Sequence, residues 1–272
     1  MLRPLVEAPQ AALAGVRAVL TDIDDTLTLH GRLPAVAYGA LERLRSAGLI
    51  VIPVTGRPAG WCDHIARMWP VDGVIGENGA FSFRYEDASR RMVRDYCQDA
   101  ETRARNSARL QQAARTVLQR WPGTAIASDQ AYREIDIAID FCEDVPALPL
   151  SVAMAVKAAF EAEGAVAKIS SIHVNAWYGD HDKLSMAQRF LARHFGIDCA
   201  AAPMSVAYAG DSPNDAPMFR AFPLSFGVAN ILPLQHLVEH LPGYVTRAEG
   251  GAGFAEIAAA ILSARVAHAS ST

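Results

Sequence analysis

Short apolar runs of strand length alternate, along the first part of the chain, with segments whose apolar positions recur every three or four residues. The first run, Val19-Leu20-Thr21, breaks off into Asp22, Asp24 and Asp25. Ala37, Leu41 and Leu44 then share one helical face, with Gly48 where a C-terminal cap belongs. Leu49-Ile50-Val51-Ile52-Pro53-Val54 reads as a second strand, closed by Thr55-Gly56-Arg57-Pro58. Trp61, Ile65 and Met68 mark a second helix, and Gly73-Val74-Ile75-Gly76 is a third strand running into Glu77-Asn78-Gly79-Ala80. Strands alternating with helices predict βαβ units, hence a parallel sheet with right-handed crossovers.

Between about Phe81 and Asp180 the pattern changes. Phe81 to Val93 reads as a hairpin and Gln98 to Trp121 as an arginine-rich helix; Thr124 to Ser128 and Arg133 to Asp140 read as strands, Pro149 to Glu163 as a helix, and Val166 to Ile169 and Ile172 to Trp177 as two more strands. Two helix-strand-strand units predict an α+β insert with an antiparallel sheet. In its strands Ile135, Ile137 and Ile139 share one face and Glu134, Asp136 and Asp140 the other, while Ile172, Val174 and Ala176 oppose His173, Asn175 and Trp177. Helices over the isoleucine face would leave the second face open, displaying acids, an imidazole, an amide and an indole, either as a plain solvated face or, as Trp177 favours, as a binding surface.

The βα pattern resumes with a helix from Asp182 to Phe195, stopped by Gly196, and a strand from Ser205 to Ala209 that leads into Gly210-Asp211-Ser212-Pro213-Asn214-Asp215. Strand-like pieces follow at Leu224 to Val228 and Tyr244 to Thr246. Gly250-Gly251-Ala252-Gly253 reads as a tight turn before a last amphipathic helix, Phe254 to about Ala264. The expected fold is therefore α/β: a Rossmann-like parallel-sheet core from residues 1–83 and 181–272, with an inserted α+β cap domain at 84–180.

Composition narrows the function. With 272 residues, 51% of them hydrophobic, the chain can bury a core larger than one average domain. A net charge of −4 gives no basic field for nucleic acid, and the arginines at 103, 105, 109, 115 and 120 read as a solvated helix face without interleaved aromatics. Cys62, Cys97, Cys142 and Cys199 lack the spacing of a zinc site or disulfide framework, which points to reduced thiols. The N-terminus has no secretory apolar core, and Ala221 to Val238, although free of charge, is broken by Pro223, Gly227 and Pro233. The expectation is a cytoplasmic protein acting on neither membrane nor nucleic acid.

The carboxyl ends of parallel strands are where the backbone first meets a crevice, and open α/β sheets place ligands there. Asp22 and Asp24 stand two apart at such an end, so an extended chain points both the same way. Close like charges call for a cation, and a hard divalent ion with oxygen ligands meets that need. Aspartate used only for turn chemistry is the plain alternative.

Asp22-x-Asp24-x-Thr26, Thr55-Gly56-Arg57, Lys183 and Gly210-Asp211-Ser212-Pro213-Asn214-Asp215 resemble, in order, the four motifs of the haloacid dehalogenase-like (HAD) superfamily. The resemblance spans Val19 to about Ala264. Glu77-Asn78-Gly79-Ala80, with the place of the insert, is similar to the subclass whose α/β cap lies between the second and third motifs, which includes sugar-phosphate phosphatases. The resemblance implies a Mg²⁺-dependent phosphatase in which Asp22 attacks phosphorus to form an aspartyl-phosphate and Asp24 acts as general acid and base. Thr55 and Lys183 would hold the phosphoryl oxygens. Asp22, the Asp24 backbone carbonyl and Asp211 would ligate Mg²⁺, with Asn214 and Asp215 orienting them.

A small phosphorylated metabolite, a sugar phosphate first, is the expected substrate, met by Asn78, Glu134, Asp136, His173, Asn175 and Trp177; Arg57 stands as substrate-facing or structural. Position 25 is Asp where many relatives carry Gly. The acid at position 24 favours phosphoryl chemistry over dehalogenation, which has no leaving alkoxide to protonate. Two rivals stay open: a phosphomutase on the same core, and a non-catalytic protein that senses a phosphorylated metabolite.

Overall fold

A computed structural model describes residues 2–170 and 172–270. In chain order its elements are β1 (Arg3–Pro4), α1 (Gln10–Ala14), β2 (Ala18–Thr21), α2 (Ala35–Ser46), β3 (Ile50–Pro53), α3 (Ala59–Met68), β4 (Val74–Gly76), β5 (Phe81–Glu86) and β6 (Arg91–Tyr96). There follow α4 (Ala100–Arg120), β7 (Ala125–Ile126), β8 (Ile137–Asp140), α5 (Leu150–Ala162), β9 (Val166–Ile169) and β10 (His173–Trp177). The chain closes with α6 (Lys183–Phe195), β11 (Val206–Gly210), α7 (Ala216–Ala221), β12 (Leu224–Gly227), β13 (Tyr244–Val245) and α8 (Gly250–Ala269), with short 3₁₀ turns between.

Six strands make the principal sheet, in the order β1-β13-β12-β11-β2-β3, and every pairing in it is parallel. Parallel strands are covered on both faces, which is why all four residues of β2 are buried. Successive side chains go to opposite layers: Val19 packs with α2 and α8 residues such as Leu41 and Ile257, and Leu20 packs with Phe190 and Phe219. The order sets β2 beside β11, so two acidic strand ends far apart in sequence emerge side by side.

α8 is long and apolar enough to cross a bilayer by length and composition alone, but its Phe254, Ile257, Ala258 and Ile261 are buried in the layer shared with α2. Its first turn takes up the glycines expected to form a separate tight turn. It presses on the acidic loop, for a Cβ on Gly251 would stand 2.6 Å from the Leu27 carbonyl oxygen.

β5 and β6 form the expected hairpin, and β5 also pairs with β4, so the expected boundary at 83/84 falls inside a strand. A third, antiparallel sheet runs β7-β8-β10-β9. α4 and α5 cover one face through Leu110, Ala114, Val156 and Phe160, packed on Ile137, Ile139, Val174 and Ala176. Asp99 opens α4 by accepting the Thr102 N–H at 2.7 Å.

Two expectations about this sheet are corrected. β8 begins at Ile137 and not at Arg133, because the N–H groups of Glu134, Ile135 and Asp136 all donate to the Glu77 carboxylate. Pulled out of the ladder, Ile135 joins the core of the principal sheet and not the isoleucine face. The second face is not open either: His173, Asn175 and Trp177 are 2%, 3% and 1% exposed, and Asp136 and Asp140 are equally covered.

Candidate active site

β2 hands the chain to Asp22, whose N–H still donates to Ala209 O of β11 at 2.9 Å and whose Oδ1 accepts the Ile23 N–H at 2.8 Å. Lys183, at the first position of α6, places Nζ 3.1 Å from Asp22 Oδ2 and 2.8 Å from Asp215 Oδ1. Burial alone would lower the Lys183 pKa, but the Asp215 and Asp22 charges outweigh it and hold the ammonium protonated. Burial also pushes Asp22 up to about 7, helped by Asp215 and Asp24 and opposed by Lys183 and the Ile23 N–H.

Asp215 has every acceptor site filled: Oδ1 takes Lys183 and the Tyr208 hydroxyl at 2.5 Å, Oδ2 the N–H groups of Asp211 and Ser212 at 3.1 and 3.2 Å. Asp211 is 3% exposed and accepts the Thr26 hydroxyl at 2.6 Å. Burial, Asp215 and Asp22 push its pKa well above the carboxylate range.

Ligand oxygens of Asp22, Asp211 and Asp215 lie within 4.8 Å of one another. Three buried carboxylates thus face one ammonium. An all-oxygen set with excess negative charge fits a hard divalent cation such as Mg²⁺.

The loop after β3 supplies Arg57. Its Nε contacts Asp24 Oδ1 and Oδ2 at 3.1 and 3.0 Å, and Nη2 reaches Asp24 Oδ1 and Glu143 Oε1, both at 2.9 Å. Asp24 and Glu143 keep the guanidinium charged against burial. Glu143, just past β8, extends Oε2 to within 2.9 Å of His173 Nε2. That approach is out of hydrogen-bonding alignment, so this ring nitrogen has no hydrogen-bond partner among the described residues. The nearby His173 ring and the Arg57 guanidinium, which donates to Oε1, hold Glu143 down to about 2.

A cavity of only about 20 Å³ remains between the principal sheet and the β7-β8-β10-β9 sheet; Asp22, Asp24, Arg57, His173, Asn175 and Asn214 are among its lining.

Other expected residues are not among the residues that line that cavity. Thr55 is fully buried, and its hydroxyl oxygen accepts the Arg57 N–H at 3.0 Å. Asn78, in the left-handed region at φ 56°, braces the turn at Gly56, where a Cβ would meet its amide at 3.2 Å. Three more residues read as substrate-facing are committed to the protein. Glu134 is exposed and accepts the Tyr96 hydroxyl at 2.7 Å. Asp136 is bound by Arg133 at 3.0 Å and by Asn175 at 2.9 Å. Trp177 is buried and stacked on His181 at 5.5 Å between ring centroids, outside the cavity lining.

Sequence reading missed Glu143, Arg133 and Glu77. Arg133 donates to Gly56 O at 3.0 Å, tying the segment before β8 to the loop after β3. Glu77 accepts four backbone N–H groups, from Ala59 and Glu134 on Oε1 and from Ile135 and Asp136 on Oε2. Burial and the Asp136 charge raise its pKa, while Arg133 and these donors pull it back. A lone acid in the apolar run from Val74 to Phe81 was the available signal for Glu77; Glu143 follows a strand end, as Asp22 and Asp211 do.

The profile of haloacid dehalogenase-like hydrolases matches residues 19–108. A phosphoglycolate phosphatase of Pyrobaculum neutrophilum is 30% identical over 253 residues, 92% of this chain and 97% of that protein. Among solved structures, a Thermoplasma acidophilum protein superposes with a TM-score of 0.67 at 18% identity, covering 91% of this chain and 98% of its own. The sucrose-phosphatase of Synechocystis sp., solved with sucrose and phosphate, superposes with a TM-score of 0.60 at 17% identity, covering 90% and 97%. These structural likenesses bear on the fold, while the sequence relation over nearly the whole of both chains bears on descent. By that relation the chain belongs to the haloacid dehalogenase-like hydrolase family.

Proposed function

We propose that this haloacid dehalogenase-like phosphatase hydrolyses the phosphomonoester of a small hydroxylated metabolite, sugar phosphates and sugar-acid phosphates foremost, through an aspartyl-phosphate on Asp22 and with Mg²⁺. The observation that carries the reading is the buried excess of carboxylate at Asp22, Asp211 and Asp215 over the single ammonium of Lys183. Asp22, Asp211 and the Asp24 backbone carbonyl would hold the cation. Bound there, it offsets negative charge on the nucleophile and the phosphoryl oxygens, without which a carboxylate cannot approach a phosphate dianion.

Asp22 Oδ attacks phosphorus, the ester P–O bond breaks, and the leaving oxygen takes a proton from Asp24. Water then attacks the same phosphorus and gives Asp24 its proton, and the acyl-phosphate P–O bond breaks to restore the Asp22 carboxylate. Lys183 faces the transferred oxygens. Arg57 grips Asp24 with three contacts of 2.9–3.1 Å, a hold that must loosen when Asp24 works as the acid. The β7-β8-β10-β9 sheet with α4 and α5 is the cap that selects substrate. In support, His173 and Asn175 line the cavity, and one structural relative is named a sucrose-phosphatase.

The test is release of inorganic phosphate from a panel of phosphorylated metabolites, with Mg²⁺ and with EDTA. Hydrolysis that stops with EDTA and in Asp22→Asn supports the reading; phosphate release unaffected by both changes sinks it. Transfer of the group to a sugar without free phosphate would favour a mutase.

A further inference from the structure

Glu143 occupies a position that asks for explanation. Its carboxylate reaches in from a loop, 29% exposed, and ends between two buried groups that line the catalytic cavity: Arg57, whose Nη2 is 2.9 Å from Oε1, and His173, whose Nε2 is 2.9 Å from Oε2. The side chains of Arg57 and His173 are only 6% and 3% exposed. His173 Nε2 has no aligned acceptor, although buried polar nitrogens almost always find one. A protein carboxylate thus fills, imperfectly, a seat whose donors are held in place on two different layers.

We infer that this seat binds a carboxylate of the substrate, that Glu143 stands in for it when substrate is absent, and that the enzyme acts on O-phosphorylated hydroxy acids. The inference rests on the phosphatase reading above and adds the chemistry of the leaving group. Its geometry also sets a length. Arg57 Nη2 touches Asp24 Oδ1 and Glu143 Oε1, both at 2.9 Å, so the seat and the group that protonates the leaving oxygen are at most about 6 Å apart. One or two carbons between ester oxygen and carboxylate are enough to span that gap. Loop-borne Glu143, 29% exposed, can swing to solvent when displaced, whereas the Arg57 side chain is buried in the cavity wall.

The experiment compares kcat/KM of the Mg²⁺-loaded enzyme for O-phosphorylated hydroxy acids with one, two and three intervening carbons against their primary amides, with p-nitrophenyl phosphate as the generic ester. Charge-assisted hydrogen bonds to a carboxylate are worth about ten- to hundredfold, so the shorter acids should exceed their amides by at least about tenfold. Glu143→Gln, which weakens the internal competitor, should lower KM for the acids relative to the amides. His173→Ala should shrink the acid-to-amide ratio towards one. Acids and amides hydrolysed within twofold of each other by the wild-type enzyme overturn the carboxylate seat and leave the phosphatase reading standing. Cleavage of p-nitrophenyl phosphate but of neither series also overturns the seat. If no ester is cleaved, the phosphatase reading falls and takes the seat with it.

Discussion

Glu77 gives the sharpest test of how the two layers are joined. Glu77→Gln keeps the shape but replaces one oxygen, and so two acceptor positions, with an amide NH₂ that confronts N–H donors. Whichever oxygen is lost, two of the four N–H groups, from Ala59 and Glu134 or from Ile135 and Asp136, lose their partner. A buried donor left unsatisfied costs about 1–3 kcal/mol, and partial relaxation leaves an expected loss of about 3 kcal/mol. Urea unfolding measures the total. Amide hydrogen exchange locates it, because about 3 kcal/mol of lost local stability corresponds to roughly hundredfold faster exchange at residues 134–136. A loss below about 1 kcal/mol, with those amides still protected, would refute the argument that the two Glu77 oxygens pin this segment.

Lys183→Met should abolish turnover and, in EDTA, cost about 3–5 kcal/mol in urea unfolding, since Asp22 and Asp215 lose the ammonium that both contact; unchanged stability in EDTA would count against it. His181 is pushed down to about 4 by burial, against the pull of Asp182 and Asp180, so the unfolded chain binds its proton first. Stability should therefore fall as pH drops from about 6.5 to 4, by about 3 kcal/mol, and His181→Asn should flatten that limb of the urea-midpoint profile. Asp25 sits in the left-handed region at φ 57°, and Asp25→Gly trades strain of about 1 kcal/mol against a similar gain in unfolded-state freedom, so stability should hold. Its charge is felt at Asp211, so the same change should raise the Mg²⁺ concentration giving half-maximal activity severalfold.

The principal sheet and its acids were legible because the signal is local and the rule general. Strand ends in a parallel sheet open on a crevice, and adjacency of β2 and β11 brings Thr26 to Asp211 across 185 positions. The cap sheet was legible in outline and misread in register. Alternation continued through Arg133 to Asp140 on paper, but nothing near Ile135 announces that Glu77 will take its N–H. Trp177 was assigned to the correct side of its strand and the wrong surroundings, since parity says which face a residue takes and not what covers that face. Glu143 was missed because it becomes meaningful only when its loop lies over Arg57.

The helix at the far end of the chain acts on the chemistry without touching it. Gly251 lets α8 lie flush behind the loop that carries Asp22 and Asp24, so that loop has no room to recoil when a phosphate is pushed against it. Bulk introduced there would press on Leu27 and, through it, on the loop that carries Asp22 and Asp24. Such a lesion would register as slow turnover in a protein that still folds, and a screen reading only expression or stability would pass it unnoticed.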